Sequence, residues 1–145
     1  MFKGRDVALH NPVTCHQIRV AQSTVDLIIP SDYVCLLLAT DGIDLLGSSK
    51  LFADTNFDGV DIVRFHNLQW LTKEREYALD EEEGASYHKD FIEVACANSQ
   101  DSILLGYTFG YLNKVYWYDY NFDEVHYIAP SIFEFIENNL VAGPK

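Results

Sequence analysis

The sequence predicts an α+β fold: one domain over residues 1–145, an antiparallel twisted sheet of about five to six strands, helices packed on it, and a C-terminal helix. Three observations predict it. Residues 103–120 alternate apolar and polar or aromatic side chains across gaps too short for a parallel return, which needs a crossover of a dozen or more residues. Two capping boxes, Thr14 with Gln17 and Ser131 with Glu134, each open a stretch with helical spacing. Finally, strands run next to strands without regular βαβ alternation, which favours an antiparallel sheet.

Taken in order, Val7–Leu9 suit a short edge strand. A helix is expected over about residues 14–25, where Ile18, Ala21 and Val25 recur at helical spacing. Pro30 interrupts the chain, Ser31 offers a cap, and Asp32 suits a first turn. Tyr33–Thr40 then reads as a strongly apolar helix that Gly42 stops with a left-handed residue. Ile43–Leu46, Lys50–Phe52 and Asp61–Leu68 read as strands, with a polar turn over residues 53–59. Gln69–Glu83 reads as an exposed helix with an acidic end, and Phe91–Asn98 as the next strand.

The final third is a meander. Ile103, Leu105, Tyr107 and Phe109 fall on one face of the first strand, with Leu104, Gly106 and Thr108 on the other. In the second strand Val115, Trp117 and Asp119 share one face, and Tyr116, Tyr118 and Tyr120 the other. Gly110 and Asn113 tolerate positive φ in the first hairpin loop, and Asn121–Glu124 make the second. After Ser131, the residues Ile132, Phe133, Ile136 and Leu140 form the apolar stripe of the closing helix.

The 22 acidic residues against 10 basic ones give a net charge of -12. This disfavours nucleic acid and anionic membrane, which are bound through Lys and Arg, and favours a cationic partner. Cys15, Cys35 and Cys96 are odd in number and lack C-x-x-C spacing, so they are read as reduced core thiols of a cytoplasmic protein. No signal peptide or membrane span is expected.

No residue set specifies catalysis, a cofactor or a metal. The five histidines lack ligand spacing, and no nucleophile-elbow motif is present. The stretch Asp54-x-Asn56-x-Asp58-Gly59 matches the first half of a calcium loop, but loop position 12 falls on Phe65, where a bidentate acid is needed. A polar turn is therefore the preferred reading, with calcium the lesser alternative. Trp117 and Asp119 with Asp123 and Glu124 suggest a carbohydrate platform as a minor alternative, and a glycosidase as a more distant one. A half-exposed tyrosine ladder is the simpler expectation.

Three stretches, Ile28–Gly42, Phe91–Phe109 and Lys114–Ile136, together resemble the Smi/Knr branch of the SUKH superfamily over about residues 14–140. The resemblance rests on Pro30, Asp32, Tyr33, Gly42, Phe91, Asp101, Val115, Tyr116, Asp119, Ala129, Ser131, Phe133 and Phe135 in order. The chain departs from the family pattern at Asp41-Gly42, in the turn at residues 98–102, and around Gly106–Thr108. The resemblance implies an α+β domain without a catalytic centre. It also implies either an immunity protein that neutralises a toxin, often a nuclease, or a regulator linked to cell-wall glucan synthesis.

The expected partner is a basic toxin domain, met by acidic residues: Asp58, Asp61, Asp80, Glu81, Glu82, Glu83, Asp119, Asp123 and Glu124. The alternation also makes a stability prediction. Trp117→Ala is expected to cost about 3–5 kcal/mol, because Trp117 shares the core face with Val115. A denaturant midpoint equal to wild type would reverse the face assignment.

Overall fold

A computed structural model describes residues 6–46, 49–51, 62–80, 86–97 and 100–142. The elements run β1 (Asp6–Leu9), α1 (Cys15–Val25), α2 (Ser31–Ala39), β2 (Ile43–Leu46), β3 (Ser49–Leu51), β4 (Ile62–Phe65), α3 (Leu68–Asp80), β5 (Phe91–Ala97), β6 (Ser102–Gly106), β7 (Val115–Asp119), β8 (Glu124–Ala129), α4 (Ile132–Glu134) and β9 (Leu140–Ala142). A seven-stranded sheet has the order β1-β2-β4-β5-β6-β7-β8, and its pairs are antiparallel. It is thus somewhat wider than expected, and β3 and β9 form a separate pair. The α+β class holds.

The helices start where local chemistry starts them. Thr14 Oγ1 accepts the Gln17 N–H at 3.1 Å, and Gln17 Oε1 accepts the Thr14 N–H at 2.8 Å. Both partners of the capping box thereby satisfy free backbone donors. Helix α2 differs from expectation. Ser31 does not cap it; Pro30 does, without a side-chain bond, its carbonyl accepting the N–H groups of Tyr33 and Val34. The Asp32 N–H instead finds Asn113 Oδ1 at 3.4 Å, from the β6–β7 loop. Helix α2 ends at Ala39, and Thr40 leaves in extended conformation, so Gly42 (φ 86°) serves the approach to β2 rather than the helix stop.

One apolar core lies between the sheet and the helices. Ile18 and Val25 of α1, Tyr33, Leu36 and Leu37 of α2, Leu71 of α3, and Ile132, Phe135 and Ile136 meet Ile43, Phe65, Val94, Ile103, Leu105, Val115 and Trp117 there. Tyr33, Leu36 and Leu37 take the inward arc of α2, which turns Cys35 outward. Cys35 and Cys15 are exposed and Cys96 is half-buried, so the core reading of the cysteines is corrected for the first two. Strand β6 is buried on both faces. Behind it, Leu104 joins Phe91 and Tyr118 in a second small cluster, with Tyr87 and Tyr116 packed against it.

Two expected elements are shorter than read. Strand β6 stops at Gly106, leaving Tyr107–Phe109 in a loop with Phe109 fully exposed. The closing helix has one α turn, Ile132–Glu134, then a π turn, Phe135–Asn139. Leu140 is therefore on β9, not on a helical stripe, because pairing with Leu51 replaces another turn. The turn at 53–59 and the Asp54–Gly59 alternative lie outside the described residues.

Gly106 explains how the β6–β7 loop closes. A Cβ there would sit 2.0 Å from the Tyr111 carbonyl oxygen. The loop also bonds back through Gly106 N–H to Lys114 O and Asn113 N–H to Gly106 O, both at 3.0 Å. Gly106→Ala is expected to destabilise the protein by about 1–3 kcal/mol through overpacking. Chemical denaturation with amide shifts across Tyr107–Lys114 checks this, and an unmoved loop at full stability would contradict it.

Candidate partner surface

The outer end of the β7–β8 hairpin collects acidic and aromatic side chains. Asp123 has φ 51°, a left-handed position that aspartate tolerates. The Tyr118 hydroxyl donates to Asp123 Oδ1 at 2.5 Å. Asp119 is buried, and its Oδ1 accepts the Asn121 N–H at 3.0 Å. Asp101 Oδ1 accepts the Tyr120 N–H at 3.0 Å. Glu124 is exposed and lies 3.2 Å from His126 Nε2. Of the expected partner-binding acids, the structure therefore brings Asp119, Asp123 and Glu124 to one turn, where the first two also hold its shape. Asp80 ends α3 some distance away in sequence, with its side chain outside the description. Asp58, Asp61, Glu81, Glu82 and Glu83 are not among the described residues.

Large apolar side chains surround these acids. Tyr120 is 52 % exposed, Phe122 72 % and Tyr127 55 %, so the end of the hairpin is far more apolar than a solvated turn. A ladder of rings continues along the sheet face turned away from the helices. Tyr127 meets Tyr116 at 5.6 Å between centroids, Tyr116 meets Tyr111 at 5.9 Å, and Phe91 lies 4.8 Å from Tyr116. These edge-on geometries suit ring quadrupoles and pack the exposed Tyr127 against Tyr116. Sequence reading anticipated the Tyr116/Tyr118 face but missed Phe122 and Tyr127. Their signal was weak: an aromatic in a turn, and one strand position opposite Tyr116.

A second polar group of residues lies between β4, β5 and α3. His66 is buried, its Nε2 is 2.8 Å from Glu93 Oε2, and Trp70 stacks on its ring with centroids 3.5 Å apart. The Ser102 hydroxyl donates to Glu93 Oε1. Serine and histidine thus both bond the carboxylate and not each other, which is not the order of a nucleophilic triad. Beside it opens a cleft of about 440 Å³ lined by His10, Asp41, Asp44, Arg64, Trp70 and Lys73 among others. Asp44 bridges His10 (2.9 Å) and Arg64 (3.3 Å) there. Among the described residues no group of three or more His, Cys, Asp or Glu is placed to hold a metal ion. No described helix is long and apolar enough to cross a membrane.

Burial, then the hydrogen bond to Asp123 and its negative charge, push the Tyr118 phenol up to about 12. A phenol whose folded value is raised keeps its proton while the unfolded chain loses it from about pH 10. Its contribution to stability is complete below that pH and is lost as pH rises toward 12. Burial also raises Tyr33 and Tyr87, which adds to the same alkaline loss. Asp123→Asn is expected to move Tyr118 ionisation toward the ordinary tyrosine range and to soften the loss. Tyrosinate difference absorbance against pH, with denaturation at matched pH, measures both. An unchanged titration would remove Asp123 as a cause.

Residues 12–138 match the sequence model of the SMI1 / KNR4 family (SUKH-1). No curated protein matches the chain.

Proposed function

The chain belongs to the SMI1 / KNR4 family (SUKH-1), and from that premise we propose that it is a non-catalytic cytoplasmic binding protein, an immunity protein that grips and neutralises a basic, nuclease-type toxin domain. Family membership is compatible with immunity and with regulatory binding. The observation that carries the choice is the β7–β8 end, where exposed Tyr120, Phe122 and Tyr127 stand among Asp123 and Glu124. Aromatic anchors beside acids are what a cationic protein surface binds tightly: the rings supply buried area and a face for Arg or Lys, and the carboxylates select charge. The net charge of -12 adds a long-range field of the right sign. No metal or cofactor enters this reading. Binding works by covering the surface with which a nuclease holds phosphates.

The test is binding to the toxin domain encoded by the neighbouring gene. At low salt its association rate is expected to exceed the neutral ~10⁵–10⁶ M⁻¹s⁻¹. It should fall steeply with added salt, because the screening length shrinks to about 3 Å at 1 M. The dissociation rate, set by close contacts, should change less. Charge reversal of Asp80, Glu81, Glu82 and Glu83 is expected to slow association if that run faces the partner. Absence of binding to any adjacent toxin domain would favour the regulatory reading linked to cell-wall glucan.

A further inference from the structure

Strand β8 is the last strand of the large sheet, and among the described residues no strand pairs with its outer side. An edge strand presents a row of free N–H and C=O groups, and proteins usually blunt such an edge with lysine, proline or a bulge. Here the register shifts near Ile128, where β8 carries an extra residue opposite the Val115–Tyr116 step, and Pro130 follows the strand. Neither device touches Glu124–Tyr127, which pairs regularly with Tyr116–Asp119. That stretch contains no lysine, and its residues Val125 and Tyr127 are 37 % and 55 % exposed.

We propose that this outer edge is the docking strand: an extended segment of the partner, with Arg or Lys at alternate positions, adds to the sheet beside Glu124–Tyr127. The inference rests on the basic-partner reading above and names where and how that partner binds. Side chains of an added strand alternate between two faces. On one face they would lie beside Val125 and Tyr127, near the Asp123 carboxylate that Tyr118 holds. On the other they would meet Glu124 and His126, themselves 3.2 Å apart. Each face of the edge therefore offers one acid, and the outer face adds the Tyr127 ring. The chain already uses such a pairing internally, with the Arg75 guanidinium 5.3 Å from the Tyr107 ring centre. Main-chain bonds would supply affinity, and the acids would supply charge selection. A second copy of this chain fits less well, since each copy carries a net charge of -12 and brings its own acids to the same edge.

The test uses the full chain and three short synthetic peptides: one alternating arginine with valine, one with glutamate replacing arginine, and one keeping every arginine but carrying proline at the valine positions. The arginine–valine peptide is expected to bind, to shift the amides of Glu124–Tyr127, and to slow their hydrogen exchange. The proline peptide keeps the charge but loses the valine N–H donors, and its φ, fixed at about −65°, disfavours a paired strand, so it is expected to bind at least about tenfold more weakly than its parent. Val125→Lys with Tyr127→Lys, both at exposed positions, is expected to weaken binding of the parent peptide by a similar factor in a variant that circular dichroism shows to be folded. No binding by the arginine–valine peptide, or equal binding by the proline peptide, would overturn the edge and leave the basic-partner reading standing. Tighter binding of the glutamate peptide would overturn both. Concentration-dependent dimerisation that protects the same amides would assign the edge to a second copy instead.

Discussion

The hydroxyl of Tyr33 is the fastening on which the two layers depend. It is fully buried, donates to the His66 carbonyl at 2.6 Å, and lies 3.1 Å from the Val94 carbonyl. It thus fixes α2 to the end of β4 and the middle of β5 at once. Burial, and then the charge of Asp41, hold its pKa far above the ordinary range, so the donor proton is present throughout physiological pH. The Val94 carbonyl also accepts the His66 N–H at 2.8 Å, so an apolar ring of the same shape would deprive chiefly the His66 carbonyl of its donor, at about 1–3 kcal/mol where a buried carbonyl is left unpaired. The joint extends outward from there. Asp41 Oδ1 accepts the Leu68 N–H at 2.9 Å, and Asn67 Oδ1 accepts the Trp70 N–H at 2.8 Å, so α3 starts on residues held by the same corner. Gly42 lets the chain pass there, since a Cβ would lie 3.0 Å from the Phe65 carbonyl.

That corner places helices α1 to α4 on one face of the sheet. Among the described residues, the opposite face carries the smaller cluster of Leu104, Phe91 and Tyr118, with Tyr87 and Tyr116 packed against it. Leu104 is fully buried beneath the aromatic rings, so the ladder both covers the middle of the sheet and ends in exposed edges. Within the ladder Tyr127 packs edge-on against Tyr116, and Tyr116 against Tyr111 and Phe91. A surface of this kind loses little side-chain entropy on binding, which favours aromatic anchors over flexible chains at an interface.

Legibility in the sequence followed the range of the interaction. The Thr14–Gln17 box spans three residues and could be read directly. The positive φ of Gly110 and Asn113 could be read from residue type. Cys35 was misplaced because α2 is apolar almost all round, leaving no polar side to orient it. Leu140 was misplaced because its strand partner, Leu51, is remote in sequence. Asp119 shares the Trp117 face in a strict alternation, and burial of that face ties its carboxylate into the turn instead of leaving it free. The His66–Glu93–Ser102 cluster gave no signal at all, since its members are separated by 27 and 9 residues and each type is commonplace alone. The Tyr116–Tyr127 pairing was equally hidden until register placed the two rings opposite each other.

The acids of the β7–β8 end carry a double constraint that bears on what can bind there. Asp119 and Asp123 cannot be exchanged freely, because one accepts the Asn121 N–H and the other the Tyr118 hydroxyl. Asp119 is buried and its carboxylate serves the turn, whereas the Asp123 carboxylate is exposed and held in place by the Tyr118 hydroxyl. A carboxylate already held in position forms a charge-assisted bond at a smaller entropic cost than a mobile one. It has also spent part of its accepting capacity: each oxygen retains lone pairs, but the geometry open to a partner is narrowed. For the basic partner proposed above, the turn would favour a compact cationic head arriving from one direction over diffuse contact with any basic surface. Glu124 is exposed with a histidine neighbour, and supplies the adaptable counterpart. In the proposed binding, the held carboxylate of Asp123 and the exposed one of Glu124 would share recognition within a single hairpin, beside the exposed rings of Tyr120, Phe122 and Tyr127.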